Sequence, residues 1–169
     1  EGEGPKLKPI NTAEDLKILK PEKTKEKFSF VCETVSRLRH DLPKETTLIG
    51  FCGAPWTVAS YMVGGGGSSD QAEARKLAYR DPQTFQRLID ILVDTSADYL
   101  HQQIVAGADT VMIFDSWAGT LPEHEFARWV TAPTKRLVQK VMQKNPSIRV
   151  IGFPRGAGSN AWDYCKETQ

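Results

Sequence analysis

An α/β fold of parallel βαβ units is the architecture this 169-residue sequence predicts. Three short apolar runs, at residues 48–52, 110–114 and 149–153, are each too brief for a core helix and each stop in a Gly, Pro or Asp turn. Long stretches with apolar residues three and four apart separate them, which is helical periodicity. The first run shows no polar alternation, so it is expected to be a strand covered on both faces. Crossovers between parallel strands are right-handed, which places the three strand ends along one rim.

Taken in order, residues 1–10 hold Pro5 and Pro9 without periodicity and predict an extended connection. Thr12 is placed to cap a short helix whose first turn holds Glu14 and Asp15 near the positive end of its dipole, and Pro21 stops it. Over residues 22–40, Phe28, Val31, Val35 and Leu38 form the inward stripe of an amphipathic helix. Its charged face, with Lys23, Lys25, Lys27, Arg37 and Arg39, reads as solvated. The first strand ends at Gly53-Ala54-Pro55, after which residues 56–63 bring aromatics and the Tyr61 hydroxyl to the strand's C-terminal end, where α/β folds build sites. Residues 64–67 are four glycines without the Lys-Ser/Thr of a phosphate loop, and read as a mobile lid or hinge.

Residues 71–80 predict a helix, and Asp81-Pro82 caps and opens a longer one striped by Phe85, Leu88, Ile89, Leu92, Ser96, Tyr99, Leu100 and Ile104. Gly107 stands where a left-handed residue ends it. The second strand leads into Asp115-Ser116-Trp117. Two helices follow, at 122–130 and at 133–144, the latter with Leu137, Val138, Val141 and Met142 inward. The third strand turns through Pro154-Arg155-Gly156 into a last helix.

Composition narrows the functional classes. A net charge of +1 with mixed signs gives no general attraction to nucleic acid or to an anionic membrane. Cys32, Cys52 and Cys165 lie far apart with no CxxC pair, so neither a disulfide framework nor a zinc knuckle is expected, and reduced thiols point to the cytoplasm. His40, His101 and His124 have no metal-ligand spacing. No apolar run approaches the roughly 20 residues of a membrane span. Residues 156–161, GAGSNA, mimic a dinucleotide fingerprint, but no acid follows about 20 residues later on a second strand. The opening residues lack both an initiator Met and the apolar core of a secretory signal, so the chain is expected to begin within a longer protein.

The stretches GFCGAPWTVASYM, GADTVMIFDSWAGTLP and IGFPRGAG resemble the uroporphyrinogen decarboxylase family. The opening GEGPKLKPINTAEDL is similar as well, but the identification rests on the central portion of the chain. Gly64 departs from the Glu that family members often carry there. The resemblance implies a partial (β/α)8 barrel, about strands 3 to 5 with their helices. Residues 1–46 would be linker and helices, and residues 47–169 three βα units. It implies cofactor-independent and metal-free loss of CO2 from the four acetate arms of uroporphyrinogen, in a homodimer when full length. Tyr61 would be catalytic, holding an acetate as it leaves, and Ser116 would bind a carboxylate. Phe51 and Phe114 would wall the flat tetrapyrrole, with Trp117 on the same rim, and Arg155 would pair with a carboxylate. Asp115 could accept a pyrrole N–H, cap a turn or support a neighbour. On this reading the chain is a fragment lacking the family's N-terminal Arg and Asp residues and C-terminal His, expected to be neither stable nor active alone. Two alternatives remain open at this point: a zinc-dependent corrinoid methyltransferase of the same superfamily, and a non-catalytic tetrapyrrole-binding domain.

Overall fold

A computed structural model of the chain describes residues 7–66 and 70–169. Among these residues one parallel sheet forms, in the order β1 (Ile49–Gly53), β2 (Thr110–Asp115), β3 (Arg149–Pro154). Ile49, Thr110 and Arg149 are aligned in register, and so are Phe51, Met112 and Ile151. The expected α/β class is therefore present as consecutive, unclosed βα units.

Residues 24–41 form α1 (Thr24–Lys27) and α2 (Ser29–Asp41), broken at Phe28, whose ring packs 4.9 Å from that of Tyr99. The expected single helix and its inward stripe are corrected: Phe28 and Leu38 are exposed, and Val35 is the buried residue of α2. Arg39 is not solvated either. Its guanidinium pairs with Asp109 at 2.8 Å and donates to the Thr46, Leu42 and Pro43 carbonyls, tying α2 to the turn before β1. Residues near Thr12 form a 3-10 turn, Asp15–Ile18, in which Asp15 accepts from the Asn11 and Thr12 amides.

Between β1 and β2 come α3 (Pro55–Gly64), α4 (Ala72–Arg80) and α5 (Pro82–Val105). Asp81 caps α5 by accepting from the Thr84 amide at 3.0 Å, as its position predicts. Gly107 follows with φ +116°, and a Cβ there would meet Arg39 Cγ at 2.8 Å. Between β2 and β3 the chain runs through α6 (Glu123–Phe126), a π turn (Ala127–Thr131) and α7 (Ala132–Lys144) as one continuous rod, where two separate helices were expected. The reason is Pro133, which has no N–H to donate; the wider turn lets the Ala132 amide reach the Ala127 carbonyl instead. Met142, expected inward, is 40% exposed, whereas Leu137, Val138 and Val141 are buried. The last helix is α8 (Asn160–Glu167).

The core lies on one side of the sheet. Trp56, Phe85 and Trp129, each fully buried, stack edge to face with ring centroids 5.8 and 4.9 Å apart, joining α3, α5 and the π turn. At the surface, α5 and α7 are laced by three ion pairs at successive helical turns: Asp90–Arg136, Asp94–Lys140 and Asp98–Lys144. These side chains are 41–65% exposed, so screening leaves each pair at most about 1 kcal/mol. Apolar burial therefore decides the packing of α7. Leu137→Ala is expected to cost about 2–5 kcal/mol in denaturant unfolding, and Asp98→Asn less than about 1 kcal/mol. Equal costs would mean that the ion pairs carry the interface.

Candidate active site at the open face of the sheet

Alternation along the strands sorts the side chains into two sets. Gly50, Cys52, Val111, Ile113 and Asp115 are buried on the helical side. Ile49, Phe51, Ile151 and Phe153, at 41–57% exposure, face the other way with the half-buried Met112 and Phe114. The expectation that the first strand is covered on both faces is thus corrected: helices cover one face and leave an apolar face open. Phe51 and Phe114 lie on that face with ring centroids 5.8 Å apart. Phe153, Ile151 and Met112 extend it and were not singled out from sequence. Their signal was the register, which a chain read one strand at a time does not reveal.

Tyr61 does not sit at a strand end; it lies on α3, which Pro55 starts two residues after β1. Its ring meets Trp117 edge to face at 6.5 Å, and Trp117 follows Ser116 in the turn after β2. Tyr61 and Ser116 thus share one end of the sheet. Among the described residues neither hydroxyl has a hydrogen-bond partner, Tyr61 is 36% exposed and Ser116 half-buried. Arg155 follows β3 and is exposed, with no ion pair among the described residues. Its backbone is fixed: the amide donates to Asp115 O and the carbonyl accepts from Gly119, both at 3.0 Å. Gly119 packs directly on Gly156, so closely that a Cβ on Gly119 would lie 2.5 Å from the Gly156 carbonyl oxygen. Of the glycine run, Gly65 ends α3 with φ +70° and its carbonyl accepts from the Leu7 amide at 3.0 Å, while Gly67 lies outside the described residues.

Asp115 points into the helical layer and is 1% exposed, so it cannot meet a pyrrole N–H on the open face. One carboxylate oxygen accepts from the Thr57 hydroxyl at 2.5 Å, and the other is buried without a partner. Burial pushes the carboxyl up from its ordinary value to about 6, against the opposing pull of the Thr57 hydroxyl and the Trp117 amide. Nearby, burial pushes the Tyr164 phenol up to about 12. Among the described residues no three His, Cys, Asp or Glu side chains gather as a metal site, and no helix is long and apolar enough to cross a membrane.

A carboxyl whose folded pKa lies above its unfolded one contributes stability below about pH 4 that is lost as pH rises through about 6. Asp115→Asn removes that titration. The melting-temperature difference, variant minus wild type, should therefore be more positive above pH 6 than at pH 4; a difference that does not change with pH would contradict the burial.

Comparison with known proteins places these features in a family. The sequence model described as Uroporphyrinogen decarboxylase (URO-D) matches residues 1–169. The chain is 52% identical over 167 residues to the uroporphyrinogen decarboxylase of Rhizorhabdus wittichii, covering 99% of this chain and 48% of that protein. It is 52% identical over 168 residues to that of Sinorhizobium fredii, with 99% and 48% covered, and 51% identical over 168 residues to that of Brucella anthropi, with 99% and 49% covered. The chain spans about half the length of the curated relatives it matches. Two expectations are corrected by these matches. The resemblance is not confined to a central portion, because residues 1–169 all fall within it. The expectation that the chain lacks the family's N-terminal Arg and Asp residues and C-terminal His is not borne out by the matches, which align 99% of this chain with 48% of each relative and identify no missing residue. On this ground the chain belongs to the uroporphyrinogen decarboxylase family.

Proposed function

We propose that this protein removes CO2 from the four acetate side chains of uroporphyrinogen to give coproporphyrinogen. The observation that carries the reading is an apolar open face, from Phe51 through Phe114 to Phe153, that runs up to two hydroxyls and a guanidinium, unpaired among the described residues, at the strands' C-terminal end. A flat macrocycle edged with carboxylates is the ligand such a surface complements: aromatic faces for the rings, donors for the rim. The names of the relatives favour the decarboxylase over the zinc-dependent methyltransferase and over a non-catalytic binding domain.

Chemically, loss of CO2 breaks the bond between an acetate methylene and its carboxylate carbon, and the electron pair left behind needs a sink. Protonation of a pyrrole carbon supplies that sink within the substrate, CO2 departs to leave an exocyclic methylene, and protonation of that methylene with loss of the ring proton added first restores the pyrrole and completes the methyl group. This sequence calls on no metal or coenzyme. Tyr61, a phenol at the edge of the face, donates a hydrogen bond to the departing carboxylate. Ser116 donates to a carboxylate from the turn after β2, Arg155 pairs with a second, and Phe51 and Phe114 flank the macrocycle. The three free cysteines support a reducing, cytoplasmic setting, and the resemblance supports a homodimer.

A hydrogen bond to a charged group is worth about 1.5–3 kcal/mol. Tyr61→Phe is therefore expected to lower kcat/KM for uroporphyrinogen by roughly 10- to 100-fold. Because the hydroxyl is partly exposed and unpaired in the free protein, the melting temperature should barely move. Full activity in Tyr61→Phe, followed by the appearance of coproporphyrinogen, would remove the phenol from the mechanism.

A further inference from the structure

A buried carboxylate is a poor stabiliser, and Asp115 leaves one of its oxygens without a partner among the described residues. Apolar groups could fill this place at lower cost. What Asp115 does hold is the Thr57 hydroxyl, at 2.5 Å, and that hydroxyl in turn accepts from the Trp117 amide at 3.2 Å. The direction of the relay is fixed by chemistry. The amide can only donate, so the Thr57 oxygen accepts from it and spends its own proton on the carboxylate. The Trp117 carbonyl is gripped from the other side by Trp56 Nε1, at 3.0 Å, and by the Thr120 hydroxyl, at 2.7 Å. Both of these α3 residues, Trp56 and Thr57, are buried, and Tyr61 stands one helical turn beyond them.

We infer that Thr57, oriented by Asp115, is a positioning residue that sets the Ser116–Trp117 turn against the Tyr61-bearing helix. Ser116 lies between two residues that this relay holds, Asp115 through its side chain and Trp117 through its amide, so the backbone that carries the Ser116 hydroxyl is held on both sides. Thr57 itself is 3% exposed, which closes it off from a ligand on the open face. The inference rests on the decarboxylase reading for its catalytic consequence, but not for the loop position itself.

Two readouts separate those layers: kcat/KM for uroporphyrinogen, and hydrogen exchange of the Trp117 amide measured with no substrate present. Thr57→Val keeps the shape and removes the relay. It is expected to speed Trp117 exchange about tenfold or more while leaving the Ala54 amide, which bonds the Phe114 carbonyl, unchanged, and to lower kcat/KM about tenfold or more. Thr57→Ser restores the hydroxyl and should recover both to within about threefold. Should valine disturb folding, Thr57→Ala carries the same comparison with serine. Unchanged exchange and activity in Thr57→Val would overturn the inference. Equal losses in the valine and serine variants would also overturn it, by assigning the effect to methyl packing. If the wild-type protein does not turn over uroporphyrinogen, the decarboxylase reading fails, and the Trp117 exchange alone decides whether the relay sets the turn.

Discussion

The two-residue alternation along β2 is the constraint on which the rest of the structure depends. It sends Val111, Ile113 and Asp115 into the helical layer and Met112 and Phe114 to the opposite face. With β1 and β3 paired to it in parallel register, the same division passes across the sheet. The helical side then closes over Trp56, Phe85 and Trp129, and the other side is left apolar and accessible. A one-residue slip in β2 would exchange the two sets, exposing Ile113 and burying Phe114 among helices. Stability and the candidate site are thus written on alternate residues of the same strands.

Binding and support are divided in the same way. Groups placed to meet a ligand, Tyr61, Ser116 and Arg155, stand at the C-terminal end with hydroxyls or guanidinium unpaired among the described residues. Groups that hold them in place are buried one layer behind: the Asp115–Thr57–Trp117 relay under the first turn, and the Gly119–Gly156 contact joining it to the turn that carries Arg155. The cost of the relay is a carboxyl that burial drives toward its neutral form. Such a cost in the layer directly behind the apolar face, at the strand end that carries the donors, is what a site that needs fixed donors would show.

The strands, the long helix and its Asp81 cap were legible because each depends on local chemistry: a short apolar run, a periodic stripe, a side chain that reaches its own backbone. The residues at the rim were legible through family motifs, which name Tyr61 and Ser116 without saying which element carries them. What escaped was whatever depends on a distant partner. Arg39 reads as a surface charge until Asp109, seventy residues on, is found beside it. Phe153 reads as an ordinary strand residue until register aligns it with Phe114. The fused rod through Pro133 escaped for another reason: a proline marks the first turn of a new helix by local rules, and here a π turn absorbs its missing donor within one rod.

On the proposed function, the tetrapyrrole packs on the open face and not in the helical layer. Methyl-resolved NMR during titration with coproporphyrin, whose macrocycle has a strong ring current, reads this directly. Large shifts are expected for Met112 and Ile151 on the open face and none for Val111, Ile113 and Val141 behind it. Shifts concentrated on the latter three, or on neither set, would contradict that packing.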